Sequence, residues 1–287
     1  MIGRFIPHPI HGQLHVGGRK MPTAPRCGRA LRLEEYSGPP IPTPPAIIDY
    51  TDSALVMACL RTMLGNDLVG DCTVADVLHA LSLIAAAAGL PIIPFVTAQA
   101  MTIYSAATGY DPTQTDASGN NPTDNGAELQ DILEWLLANG FPPNPNASKL
   151  LAFYPLDTTA PLPIQQGMLI GGGAVVCGVA LSDNAVSQIP TLIDGGDWDL
   201  SGTPNPANGH AFPKVADGKV ATWSMVLNVN DDVLQEQLQT QNGGEAWAIY
   251  AQEMAQGIQR SGIAAADSLA MFKGLGAALG GVLPAGA

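Results

Sequence analysis

Residues 65–73 read GNDLVGDCT, and Cys72 stands where this glycine-containing loop gives way to a helical pattern. A helix N-terminus presents unpaired N–H groups and a partial positive charge, and both favour thiolate over thiol. The thiolate is the nucleophilic form of cysteine. Asn66, six residues earlier, carries an amide that could donate to an oxyanion together with the Cys72 backbone N–H. Such a nucleophile needs a base. Of the five histidines, His8, His11 and His15 lie in a proline-rich N-terminal stretch, and His79 lies two turns into the Cys72 helix. His210, in NGHAF, opens a strand pattern in the second half of the chain, and it is the histidine that folding could bring across a cleft to Cys72. The chemistry of such a set is amide cleavage by acyl transfer. Taken singly, Cys72 reads equally as an inert helix cysteine and His210 as a core histidine.

The elements that must position these groups come as helices first and strands second. Val74, Val77, Leu78, Leu81 and Ala85 keep helical spacing after Cys72, and Gly89 with Pro91 ends the run. A second helix fits residues 97–107, capped by Thr97 and closed by Gly109. A third has Asn125 and Glu128 as a capping-box pattern, an apolar face of Leu129, Ile132, Leu133, Leu136 and Leu137, and a stop at Gly140. Residues 168–181, MLIGGGAVVCGVAL, read as one or two buried strands bent at the glycines. Residues 211–215 and 220–226 read as a hairpin closed by Asp217 and Gly218, followed by a short helix from Asp231 and a last strand over 246–250. This order predicts an α+β domain, a helical half packed against an antiparallel half, with a cleft between them.

Asn66, Cys72, His210 and the later Trp223 resemble the papain-like cysteine peptidase superfamily, and more narrowly the papain-like proteins encoded by bacteriophages. The segments that carry the resemblance are GNDLVGDCTVADVLHA, YSAATGYD, TDNGAELQDILEWL, GGAVVCGVAL, GHAF, ATW and EAWAIY, spread over about residues 60–250. The resemblance implies Cys72 as nucleophile, His210 as proton shuttle, Asn66 as oxyanion donor and Trp223 as the cleft wall that shelters the dyad. The chain departs from the family pattern at Ala221, where an Asn often orients the base, and at Ser224, where a glycine usually follows the tryptophan. Asp67 and Asp71 flank the thiol and oppose the helix dipole.

The remaining composition bounds partners and place. The 287 residues carry a net charge of −13. Residues 1–33 nevertheless hold Arg4, Arg19, Lys20, Arg26, Arg29 and Arg32 and no acid. An acidic body repels phosphates, so nucleic acid is not an expected partner. Nine prolines between Pro7 and Pro45 predict an extended, polyproline-like arm over 1–48, ahead of a papain-like domain over 49–255 and a Gly/Ala-rich tail over 256–287. Cys27, Cys59, Cys72 and Cys177 have no zinc spacing, and residues 171–173 lack the lysine and helix of a phosphate cradle, so no metal or cofactor is expected. Asp111, Asp116, Asn120 and Asp124 read as a solvated loop rather than a calcium site. Prolines at 91 and 94 interrupt the longest apolar run, leaving no membrane span, and no apolar signal sequence follows the basic N-terminus.

Two functions fit this reading. One is a bacteriophage virion protein, part of an oligomeric assembly and joined to other virion proteins through its arm, with a weak or vestigial cysteine-hydrolase site. The other is an active cysteine peptidase or amidase, acting on a protein or on a peptidoglycan peptide.

Overall fold

The computed structural model describes residues 3–22, 43–49, 51–87, 95–141, 150–251 and 270. Helices α1 (Ala54–Leu60), α2 (Cys72–Ala87), α3 (Thr97–Thr108) and α4 (Leu129–Asn139) form one half. Strands β3 (Leu150–Pro155), β4 (Val175–Ser182), β5 (Pro204–Ala216), β6 (Lys219–Thr222), β7 (Met225–Asn228) and β8 (Glu245–Ala251) form one sheet. Its order is β3-β8-β4-β5-β6-β7, and every pairing is antiparallel. The α+β arrangement expected from the sequence is therefore present.

Helix α2 is the axis of the molecule. Every residue from Cys72 to Ile84 is buried, so the helix is enclosed on all sides rather than along one stripe. It packs on α1, α3 and α4 and, across the interior, on β4 and β5. Its start is built by the preceding loop: the Asp71 carbonyl accepts from the N–H groups of Val74 and Ala75. Strand β4 is buried along its whole length, which explains its unbroken apolar run.

Several sequence expectations need correction. Residues 168–170 belong to helix α5 (Pro161–Ile170), not to a strand. Ala160 flanks this helix and Pro161 occupies its first turn, a position that needs no N–H donor. The turn over 171–173 then leads into β4, and Gly172 and Gly173 adopt positive φ there. Asn125 does not cap α4, whose N-cap is Glu128 without a side-chain cap bond. The backbone of Ala127, just before that cap, is engaged elsewhere, as described below. Thr97 is the first residue of α3, and Gln99 Oε1 accepts the Val96 N–H in its place. The helix stops as expected at Gly109, in the left-handed conformation.

The N-terminal stretch differs most from an extended arm. Within it, β1 (Arg4–His8) and β2 (Gly12–Val16) form an antiparallel hairpin. His8 Nε2 donates to the Leu192 carbonyl at 2.8 Å, and Leu14 and Val16 join the core. The last three residues of β2, Leu14, His15 and Val16, are all buried, and they supply apolar contact that the proline count hid. Most of the arm's proline cluster, at residues 23–42, and the tail apart from Ala270 lie outside the described residues.

The hairpin β5–β6 closes at Asp217 and Gly218 as its sequence predicts. The following run is not one strand, because β6 and β7 turn back on each other at Trp223 and Ser224. Both residues have positive φ, 48° and 64°, the conformation of a two-residue hairpin turn that normally carries Asn and Gly. Ser224 gains one exposed bond, Oγ to the Arg61 carbonyl. Replacing it with glycine removes the steric penalty of a left-handed residue, of order 1–2 kcal/mol. Ser224→Gly is expected to stabilise the fold by about 1 kcal/mol net of the lost bond, read as a raised denaturation midpoint.

Candidate active site

The structure brings Cys72 to the His210 region. Cys72 is the first residue of α2, and its sulfur takes the backbone N–H of Ala211, the residue next to His210. His210 lies inside the long strand β5 rather than at its opening, paired in register with Val179 of β4. Its Nε2 is 2.7 Å from Thr222 Oγ1 on β6. Trp223 stacks on the imidazole with ring centres 4.2 Å apart and planes 18° apart. The left-handed turn at Trp223 is what lays the indole flat on the ring, and Trp198 packs against the same indole with ring centres 5.5 Å apart.

The position that the family pattern gives to an orienting amide is Ala221, yet the neighbouring Thr222 bonds the ring instead. Sequence position alone does not show this, because which residue faces His210 depends on the pairing of β5 with β6. With Nε2 held by Thr222, the free ring nitrogen is Nδ1, which is buried without a hydrogen-bond partner. A neutral imidazole that donates Nε2–H to the threonine oxygen keeps its lone pair on Nδ1.

Asn66 is buried in the loop before α2. Its carbonyl accepts the His15 N–H at 3.1 Å, and its side-chain oxygen has no partner. Leu64, just upstream, has a φ of 56°, so this loop holds a strained residue two positions before Asn66. The other histidine expectations also resolve. His79 is buried and bonds the Thr62 carbonyl at 3.0 Å, away from the sulfur. His15 is buried and close enough to His210 to lower its affinity for a proton.

The part of the site that sequence reasoning missed is its cover. Residues 15–21 run through the cleft between the two halves. Gly17 and Arg19 donate to the Gly209 carbonyl at 3.1 and 3.2 Å on the sheet side. Lys20 donates to the Ala127 carbonyl at 2.8 Å, and Ala127 donates to the Gly18 carbonyl at 2.9 Å, on the helical side. The His15 carbonyl accepts the Trp223 Nε1 proton at 3.2 Å. Glycines make room for this passage: a Cβ on Gly18 would lie 2.6 Å from the Gly70 backbone, and one on Gly126 or Gly209 only 2.0 Å from a segment carbonyl. Those glycines, at 18, 70, 126 and 209, were the available signal, but nothing local says that they face one another. The Arg19 guanidinium is fully buried, with Nε and Nη2 on Glu245 Oε1 at 2.9 and 2.6 Å.

Covering sets the electrostatics. Burial pushes the Cys72 thiol up to about 12, with Asp71 and Asp76 adding to the rise and the Ala211 N–H and Arg19 opposing it. Burial likewise lowers His210 to about 3, helped by His15 and Arg19. Burial first, then Asp124 and Asp67, holds the Asp71 carboxyl well above its ordinary range. In this covered arrangement the pair at neutral pH is a thiol beside a neutral imidazole, not an ion pair. In the acidic loop, Asp111 and Asp116 accept from nearby backbone N–H groups of the loop, whereas Asp124 reaches out of it to accept from the Tyr104 hydroxyl and the Gly70 N–H.

No model of a known protein family matches the chain, and no curated protein matches it. Among solved structures it is similar to xylellain, a cysteine protease from Xylella fastidiosa, at 14% sequence identity and a TM-score of 0.54, over 82% of this chain and 96% of that one. At that identity the likeness is one of fold, and the fold is papain-like.

Two outcomes follow from this site. Iodoacetamide should modify Cys72 in the native protein at pH 7 roughly a thousandfold more slowly than a free thiol, because the thiolate fraction is that much smaller; labelling at the free-thiol rate would contradict the covered geometry. The folded state holds His210 neutral down to about pH 3, whereas the unfolded chain binds its proton near 6.5. This group therefore favours the fold fully above about 6.5 and progressively less as pH falls toward 3. Its ring resonances in NMR should not titrate between pH 7 and 5. In Thr222→Val they should shift, with a stability loss of about 1–3 kcal/mol from the unpaired Nε2.

Proposed function

We propose that this chain is a papain-like cysteine hydrolase acting on peptide amides, held latent by its own N-terminal segment. The observation that carries the reading is that a peptide already lies in the cleft, hydrogen-bonded through its backbone to both walls beside Cys72 and His210. In the uncovered site Cys72 Sγ attacks the amide carbon while His210 Nδ1 accepts the thiol proton. The C–N bond then breaks, and the same proton passes to the leaving amine. Water attacks the thioester next, giving Nδ1 a proton that returns to sulfur as the acid departs. Asn66 and the Cys72 N–H stabilise the oxyanion, Thr222 holds the ring, and Trp223 keeps water from the imidazole.

Gly18→Val tests this directly, since a side chain there meets the Gly70 backbone and must push the segment out. Cys72 alkylation should accelerate at least tenfold and casein hydrolysis should appear, with Cys72→Ala abolishing the hydrolysis. An unlocked protein whose Cys72 reacts no faster than in the unsubstituted chain and which cleaves nothing would overturn the proposal.

A second reading, a phage virion component attached through residues 1–48 with an idle site, draws on the charge split and on Ala221. It predicts that deleting residues 1–45 abolishes incorporation into particles while Cys72→Ala leaves it unchanged.

A further inference from the structure

We propose that the recess filled by Arg19 is a binding site for an arginine side chain of a peptide lying in the cleft, with Glu245 as its recognition residue. This deepens the hydrolase reading and rests on the cleft being a peptide site.

The backbone contacts of residues 17–20 go to main-chain groups at Gly209 and Ala127. Such contacts hold any sequence and discriminate none. Discrimination falls to the side chain that is swallowed, and Arg19 is swallowed whole. Its Nε and Nη2 both reach Glu245 Oε1, and its Nη1 reaches the Gly243 carbonyl at 2.9 Å. The other carboxylate oxygen is held at 2.8 Å by Trp247 Nε1, so Glu245 is fixed before a guanidinium arrives. A planar fork of donors fits this arrangement, whereas a single ammonium reaches fewer of the acceptors.

The floor of the recess is equally specific. Gly178 on β4 is the ladder partner of Glu245 on β8 and of Ala211 on β5. Residues directly opposite one another share a face of the sheet, so Glu245, Gly178 and Ala211 form one row. Any side chain at 178 would overlap Arg19, its Cβ lying 2.2 Å from Nε. The far end of that row is the N–H that touches the Cys72 sulfur. The recess therefore opens beside the nucleophile. Asp76, one turn after Cys72 on α2, is also buried within electrostatic range of Arg19 and Glu245. When Arg19 leaves this space, the Glu245 carboxylate loses its cation.

The experiment uses the full chain. In Arg19→Ala, n-propylguanidinium at millimolar concentration should raise the melting temperature, while n-propylurea and n-butylammonium should not. Adding Glu245→Gln should remove the guanidinium response. In the Gly18→Val, Arg19→Ala double variant, acetyl-Gly-Gly-Arg-Gly-amide should bind at least about tenfold more tightly than its citrulline and lysine counterparts in calorimetric titration. Equal responses to urea and guanidinium, or no response from folded Arg19→Ala, would make the contact a structural ion pair closed to ligands and overturn the proposal. If Arg19→Ala does not fold, Arg19→Met keeps the stem's volume and methylguanidinium becomes the probe, with the same two outcomes. None of these readouts uses the sulfur, so a Cys72→Ala background must give the same shifts. Loss of hydrolysis with guanidinium selectivity intact would reject the hydrolase reading alone.

Discussion

A buried guanidinium must be paired, and the place where Arg19 meets Glu245 fixes the path of the described N-terminal residues 3–22. Removing one partner of such a pair costs about 3–5 kcal/mol, because the remaining charge is stranded away from water. The two partners are 226 residues apart, one near the start of the chain and the other opening β8. Their contact anchors residues 15–21 between the helical and sheet halves. The hairpin β1–β2 then has a defined surface to fold on, with His8 at the Leu192 carbonyl and Leu14 in the core.

The same contact governs the chemistry of the cleft. With the segment in place, Cys72 and His210 are both removed from solvent and each is driven toward its neutral form. The dipole at the start of α2 favours the thiolate, but it is a modest effect of about 1 kcal/mol. Desolvation outweighs it. Uncovering the cleft would lift that desolvation, whereas the start of α2 and the Thr222 bond belong to the body of the domain. Among the buried polar atoms without hydrogen-bond partners are Asn66 Oδ1, both Asp71 oxygens and His210 Nδ1. Buried unsatisfied groups are rare in a settled core.

Thr222 illustrates how such a site tolerates sequence change. The hydroxyl fixes one ring nitrogen of His210, and where it accepts the Nε2 proton the lone pair is left on Nδ1. The turn that supplies it is strained at two non-glycine residues. That strain is offset by what the turn delivers: an indole stacked on the imidazole, itself tied to the His15 carbonyl.

The sequence by itself determined the α+β order, the helix that begins at Cys72, the stop at Gly109, the turn at Asp217 and Gly218, and the pairing of Cys72 with His210 as the candidate site. These follow from local periodicity, from turn chemistry and from residue types that few other roles require. Periodicity could not separate the end of α5 from the start of β4, because both are short, wholly buried and apolar. Only the tertiary structure decided that Thr222 holds His210, that glycines at 18, 70, 126 and 209 admit a chain between them, and that Arg19 ends on Glu245. Each of these depends on strands or loops far apart in sequence being brought into register, and strand pairing is a property of the assembled sheet rather than of any window of residues.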